Sequence, residues 1–432
     1  MKKLLALVLA CVLALAAVPM AQADDQVTLT FWTQDTQAWQ TYFEPAIARF
    51  EEANPNINIE VEYFSSFADK LIQSFGANTQ GDVIFTYSSI GEWADSGKIV
   101  EVPETIYTTE EIKSLFYEGA MANKIVNGKY YAVSNEINVE SPSLYVNMDI
   151  LAAEGVELPA GWIENDGPAS WAELYEFAKS LTIKDDSGVI TRAGLAYAYA
   201  QWEAMFESLI WQYGGEFRDA ENMTVHFQTE EAKKALEFML GHLGSAEEAV
   251  CAGTGNRYDE FVQGAAVMCV GAPWYAGGFD ADMPDTKYQV FNLPAFVEGA
   301  DPISLATGGW AYIVSSKCEH PDEAWQFVKF MTSGDEVGTW ALTTGALPSR
   351  TDALTDLEYD PTVGSVTKAI AITSKVLPYA REDGAYMLTS STLTYSIIRQ
   401  ALYTVLDDGD IDTCLETIQQ EAETMLEENF NR

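Results

Sequence analysis

Between residues 27 and 86 the apolar residues change period repeatedly, and that succession restricts the fold more than any other feature of the chain. Val27, Leu29 and Phe31 alternate with polar residues, as a half-buried strand requires. Tyr42, Phe43, Ala46, Ile47 and Phe50 then recur at helical spacing, with Pro45 expected to mark the regular start of that helix. Asn54-Pro55-Asn56 ends it, and Ile57, Ile59, Val61 and Tyr63 alternate again. Phe67 to Phe75 predicts a second helix, and Gly81-Asp82 leads into the apolar run Val83-Ile84-Phe85. Strand, helix, strand, helix, strand predicts an α/β lobe on a mainly parallel sheet. Such sheets present ligands with residues beyond the carboxyl ends of their strands, here Trp32 to Asp35 and Thr86 to Ser89.

The chain opens with Lys2-Lys3, an apolar run from Leu4 to Val18 and Ala21-Gln22-Ala23, the order of a secretory signal. Residues 1–23 are therefore expected to be removed, and export to the periplasm or the outer face of the membrane follows. Val8-Leu9-Ala10-Cys11 superficially resembles a lipidation site, but a cut there leaves a second apolar segment behind it, so Cys11 is preferred as a small apolar residue. About 410 residues remain, more than one core normally holds, so two lobes are expected. Gly128 to Val133 reads as a strand running through polar Ser134–Ser141 into Leu144-Tyr145-Val146-Asn147, with a hinge at Ser134 to Glu140. Further helices are predicted at 171–181 with Ser170 as cap, and at 202–213, 229–243, 321–332, 390–406 and 412–427.

Formal net charge is −41, from 65 acidic and 24 basic side chains. That field repels nucleic acid, anionic membranes and anionic solutes, and leaves a neutral or cationic small molecule as the natural partner. An oxidising compartment permits disulfides, and Cys251 and Cys269 close a loop of suitable length, although their distance in space is not set by sequence.

Catalytic signatures are missing: there is no Gly-x-Ser-x-Gly elbow, no His-Glu-x-x-His and no phosphate loop. His226, His242 and His320 are scattered, and no metal or cofactor is expected. Asp407, Asp408, Asp410 and Asp412 resemble a calcium loop, but Thr413 and Gln419 stand where Gly and a bidentate Glu belong, which favours a solvated loop. Carboxylate pairs for glycoside hydrolysis are defined by distance, and nothing singles one out. The chain does carry 11 Trp and 21 Tyr, and aromatic faces among polar groups suit the C–H face of a pyranose, though most such rings build cores.

Several blocks, in order, carry a family resemblance: Thr28-Leu29-Thr30-Phe31-Trp32-Thr33, Phe50-Glu51-Glu52-Ala53-Asn54-Pro55, Gly81-Asp82-Val83-Ile84-Phe85 with Trp93-Ala94-Asp95-Ser96-Gly97-Lys98, and Gly128-Lys129-Tyr130-Tyr131-Ala132-Val133. Further on stand Gln212-Tyr213-Gly214-Gly215, Gly271-Ala272-Pro273-Trp274-Tyr275, Gly308-Gly309-Trp310-Ala311-Tyr312, His320-Pro321-Asp322-Glu323-Ala324-Trp325 and Gly345-Ala346-Leu347-Pro348-Ser349-Arg350. Together they resemble the extracellular solute-binding proteins of ABC importers, in the family that includes maltose-binding protein. The resemblance implies a two-lobe periplasmic-binding-protein-like α/β fold, with ligand in the cleft and hinge closure. It also implies a monomeric, non-enzymatic receptor that hands a sugar or oligosaccharide to a membrane permease; a polyamine or other cationic solute is the alternative, and a secreted glycoside hydrolase the remote one. Lobe boundaries are expected at 24–135 and 306–358 for one lobe, and at 136–305 and 359–432 for the other.

Candidate ligand contacts follow from the resemblance and the strand ends. Trp274 occupies a position where the family commonly stacks an aromatic on ligand, and Trp32 and Asp35 end the first strand. Tyr87, Ser88 and Ser89 sit in the loop where maltose-binding protein carries a sugar-binding carboxylate, a departure that argues against maltose itself. Glu136, Asn138 and Glu140 lie in the expected hinge. Trp202, Glu203 and Trp211 precede Gly214-Gly215, on a helical spacing that equally fits a buried face. Gly309 and Trp310 stand at the returning crossover, and Arg350 either reaches the cleft rim or anchors its loop.

Overall fold

The computed structural model describes residues 26–87, 90–139, 142–197, 202–219, 222–244, 257–306, 308–382 and 393–430. The opening periodicity yields β1 (Val27–Gln34), α1 (Gln37–Ala53), β2 (Ile57–Phe64), α2 (Phe67–Ala77) and β3 (Val83–Thr86). β1 lies between β2 and β3 and is parallel to both. Ala311–Val314 joins antiparallel to β3, and Val133–Ser134 closes the far edge. Alternation along the strands sorts the side chains onto two faces. Phe31, Phe85 and Tyr312 pack under α1 with Phe43, Phe50, Trp325 and Trp340. Trp32, Ile84 and Ile313 face the other way, against Phe67, Leu71, Phe75 and Trp93. Each fully buried ring of this kind contributes about 2–3 kcal/mol relative to exposure.

Local chemistry fixes the strand starts. The Asp82 carboxylate accepts from both the backbone N–H and the hydroxyl of Thr30 at 2.8 Å, locking β3 to β1. Gly81 is required beside it, because an added Cβ would lie 2.8 Å from the Trp32 ring. Pro45 falls inside α1 rather than at its start: Thr36 caps the helix by accepting the Trp39 N–H, so the helix begins well before the proline.

The second sheet runs Tyr288–Asn292, Ser143–Asn147, Ala266–Gly271, Ile190–Ala196 and Ile183–Lys184, with one parallel pair among antiparallel ones. Its core includes Trp162, Trp171, Phe206 and Leu209. Ser170 caps the helix Trp171–Leu181, its hydroxyl accepting the Glu173 N–H at 3.2 Å.

The segment between the sheets is not the continuous strand expected. It breaks into Lys129–Tyr130, Val133–Ser134 and Glu136–Ile137 before Ser143–Asn147 enters the second sheet. The break is physical: Glu136–Ile137 leaves the first sheet to pair with Leu347–Pro348, and Val139 bridges Ala306. A small apolar cluster of Ile137, Val139, Ala306, Leu347, Val376 and Leu377 packs where these segments meet. Two helices also differ from expectation: the helix Glu230–Met239 passes into a wider turn at Leu240–Gly244, and the helix Arg399–Asp408 follows another such turn at Leu393–Ile398. Among the described residues no helix is long and apolar enough to cross a membrane, and no group of three metal-ligating side chains converges.

Candidate functional site

The carboxyl ends of β1, β2 and β3 converge on a group of aromatic rings. α1 begins three residues after β1 and places Trp39 in its first turn. α2 follows β2 and opens with Phe67. Tyr87 follows β3 directly and is 55 % exposed, enough to leave its face to solvent. Trp310 enters from the far end of the chain, because Ala311 pairs with Thr86 at the top of β3.

These rings meet around Trp310. Its centroid lies 4.4 Å from Trp39 at 84°, 4.9 Å from Tyr87 at 59°, and 6.2 Å from Phe67 at 20°. Trp310 and Trp39 are partly buried, so each retains some accessible face. Trp340 packs behind Trp39, with centroids 5.6 Å apart. The result is an aromatic platform in which Trp39 and Tyr87 stand at steep angles to Trp310 as walls while Phe67 lies nearly parallel to it.

The platform is held from below by Glu136. The Trp340 indole Nε1–H donates to Glu136 Oε2 at 2.7 Å, and the Trp310 backbone N–H lies beside the same carboxyl group. Burial pushes the Glu136 carboxyl up to about 7, although both N–H groups and nearby Lys124 pull the other way. Gly308 and Gly309 adopt φ of +76° and +68°, left-handed conformations that glycine takes without steric cost.

The other predicted positions separate into two groups. Gly309, Trp310 and Tyr87 come together as described, with Asp35 nearby at the end of β1. Asp35 is exposed and accepts from Gln40 Nε2 at 2.7 Å and Ser65 Oγ at 3.3 Å. Glu136 is buried and engaged rather than turned to solvent, and Asn138 beside it is partly buried. Trp274 stands across the lobe junction, at the start of the helix Tyr275–Asp282. It is partly buried, and Gly345 packs so closely that an added Cβ would lie 2.7 Å from the Trp274 Cα. Ser88, Ser89, Glu140 and Cys251 lie outside the described residues, so the bridge from Cys251 to Cys269 falls there too; Cys269 is buried on Ala266–Gly271.

Trp32, Trp202, Glu203 and Trp211 take packing roles, and Arg350 anchors its loop, one of the two outcomes expected for it. Trp32 faces the α2 side of the sheet, donates to Glu62 Oε1 at 2.9 Å and carries Lys70 4.4 Å above its ring. Trp202 and Glu203 are buried in the second core, where the Glu203 carboxylate accepts from the Arg399 guanidinium. Trp211 donates to Glu216 Oε1 at 3.0 Å and is flanked by Arg218 and Arg381. Arg350 forms a bidentate pair with Asp352, at 2.8 and 2.7 Å, and donates to the Thr332 carbonyl at 3.1 Å. Trp32, Glu203, Trp211 and Arg350 each find a polar partner nearby, as burial of such groups favours.

Sequence reasoning missed Trp39 and Trp340. Trp39 carried a usable signal, since it sits one helical turn beyond the end of β1; Trp340 carried none, because only the tertiary fold brings its helix beside Trp39.

A sequence model of bacterial extracellular solute-binding proteins matches residues 33–336. The chain belongs to that family. Relatives of the solute-binding family include the maltotriose-binding protein of Pyrococcus abyssi, 23 % identical over 378 residues, which cover 85 % of this chain and 75 % of that one. In fold it matches the cyclic alpha-maltosyl-1,6-maltose binding protein of Arthrobacter globiformis, with a TM-score of 0.73 and 19 % identity over 93 % of this chain and 100 % of that one. A Mycobacterium tuberculosis protein in complex with glycerophosphocholine matches with a TM-score of 0.71 and 19 % identity, over 93 % and 99 %. The two-domain architecture of these solute-binding proteins is the architecture of this chain.

Proposed function

We propose that this solute-binding protein captures a sugar or oligosaccharide on the platform of Trp310, Trp39 and Tyr87, and that Trp274 closes over it from the other lobe. The observation that carries the reading is the convergence of those rings at the carboxyl ends of three strands, with Tyr87 left 55 % exposed. Pyranose C–H faces pack on aromatic rings, and walls at steep angles select a bent or branched ring system over a flat one. Hinge closure around the crossing segments and transfer to the permease of an ABC importer complete the proposal. The family relationship and the maltotriose-binding relative support it.

A second reading rests on the same rings: walls of Trp and Tyr also enclose an alkylammonium head by cation–π attraction, and the net charge of −41 favours cations. Native mass spectrometry of the protein as purified, followed by calorimetry with maltotriose, smaller sugars, spermidine and glycerophosphocholine, separates the two. Saturable heat with a sugar alone supports the first reading; binding confined to spermidine or the choline compound replaces it with the second.

A further inference from the structure

One carboxyl group sits in the crossing segment between the lobes almost out of reach of water. Glu136 is 5 % exposed and belongs to the strand Glu136–Ile137, where it pairs with Pro348. It accepts the Trp340 indole at 2.7 Å, and the Trp310 backbone N–H lies beside it. The same turn is fixed from its other side. The Asn135 N–H donates to the Trp310 carbonyl at 3.0 Å, and Lys124 Nζ donates to the Gly309 carbonyl at 3.1 Å. Gly309 approaches so closely that an added Cβ would lie 2.6 Å from the Glu136 carbonyl oxygen. The turn that delivers Trp310 to the platform is therefore held against the Glu136 segment.

We propose that Glu136 is a positioning residue whose carboxylate sets the pose of Trp310 and Trp340, so that a proton on it loosens the platform and weakens ligand capture. This rests on the platform being the ligand site. Hydrogen bonds to an ionised acceptor are about twice as strong as neutral ones, so protonation weakens both N–H contacts together. Of the groups packed around Glu136, Lys124 favours its ionised form. Lys124 faces it from the turn at 122–124, and Tyr312 from the first sheet. The helix Gly334–Thr344, which brings Trp340, also carries Glu336, but that carboxylate accepts from Arg49 and Tyr42. Arg350, near the partner strand, turns away to Asp352. Burial places the Glu136 transition near neutral pH, at about 7.

The test needs no ligand in its first arm. Indole N–H resonances of nitrogen-labelled protein, assigned with Trp340→Phe and Trp310→Phe, are followed from about pH 5.5 to about pH 8.5, the range that brackets a carboxyl titrating near neutrality. Both resonances are expected to move with a shared midpoint near neutrality, and to stay flat in Glu136→Gln. In Trp340→Phe the Trp310 resonance is expected to titrate at higher pH, since one stabilising donor is gone. A flat Trp310 resonance in the unaltered protein, or an unchanged titration in Glu136→Gln, overturns the positioning role. The second arm measures maltotriose affinity, expected to weaken about fivefold between pH 8 and pH 6 if capture lowers the carboxyl pKa from about 7 by one unit, and to be independent of pH in Glu136→Gln. Equal affinity at both pH values in the unaltered protein overturns the coupling. No maltotriose binding at any pH counts against the sugar reading instead, and the indole resonances still decide the role of Glu136.

Discussion

The Trp340 indole donates to the Glu136 carboxyl group at 2.7 Å across 204 residues of sequence, tying a helix of the returning segment to the crossing strand. Because burial raises the folded-state pKa of Glu136 to about 7, above the ordinary carboxylate range, the neutral form favours folding. That contribution is fully present below the unfolded pKa and is lost as pH rises through about 7, at most about 3 kcal/mol on conversion of the shift. The protein is therefore expected to melt at a lower temperature at pH 8 than at pH 5.5, and Glu136→Gln should shrink that difference. Calorimetric scans of both proteins across this range check it, and identical pH profiles would refute it.

Tyr87 and Trp310 differ in what they do for the fold, and that difference can be measured. Tyr87 is 55 % exposed, so Tyr87→Ala should change stability by no more than about 0.5 kcal/mol. Loss of its stacking face should still weaken sugar affinity about tenfold, roughly 1.4 kcal/mol. Trp310→Ala removes packing on Trp39, Phe67 and Phe85 as well, and should lower both affinity and melting temperature. Unchanged sugar affinity in Tyr87→Ala would remove that ring from the site.

Periodicity made the first lobe readable because α1, β2, α2 and the start of β1 bury mainly one face, which imposes a period, while β3, buried on both, shows as a short apolar run after Gly81-Asp82. The segment after Val133 was less readable because Glu136–Ile137 pairs with a strand over two hundred residues away, and no local period records such a partner. The same reason explains the site. Tyr87 and Asp35 follow from strand ends, and Trp310 from a motif, whereas alternation along β1 turns Trp32 to the face opposite Phe31, away from the proposed platform. Trp202 and Glu203 look functional in sequence because aromatic and acidic residues adjoin; the buried pair of Glu203 with Arg399 appears only in three dimensions.

Arg350 illustrates a conspicuous charged residue that serves the scaffold. Its guanidinium is largely buried against the Phe116 ring, with Asp352 and the Thr332 carbonyl taking its donors. Arg350→Ala leaves that carbonyl with only the Tyr107 hydroxyl as donor, strands Asp352 and strips the cover from Phe116, a loss of about 2–4 kcal/mol. Affinity for the sugar at saturation of the folded protein should be unchanged. Urea unfolding together with calorimetry at low temperature tests both halves, and a selective loss of affinity would restore Arg350 to the cleft.

Gly345 and Trp274 meet where the two lobes touch, and glycine is what permits that approach. Gly345 ends the helix Gly334–Thr344 with φ of +77°, and Gly409 ends the helix Arg399–Asp408 with φ of +74°. Their backbones are therefore equally strained by a side chain, at about 1–2 kcal/mol. Their surroundings are not equal: a Cβ at Gly409 meets nothing within 4 Å, whereas one at Gly345 would lie 2.7 Å from the Trp274 Cα. Backbone cannot yield as a flexible side chain does, so Gly345→Ala must part the lobes at this point. It is expected to melt lower than Gly409→Ala, to scatter X-rays with a larger radius of gyration, and to bind sugar more weakly because Trp274 is displaced. Equal melting temperatures and equal radii for the two variants would show that this contact does not govern the distance between the lobes.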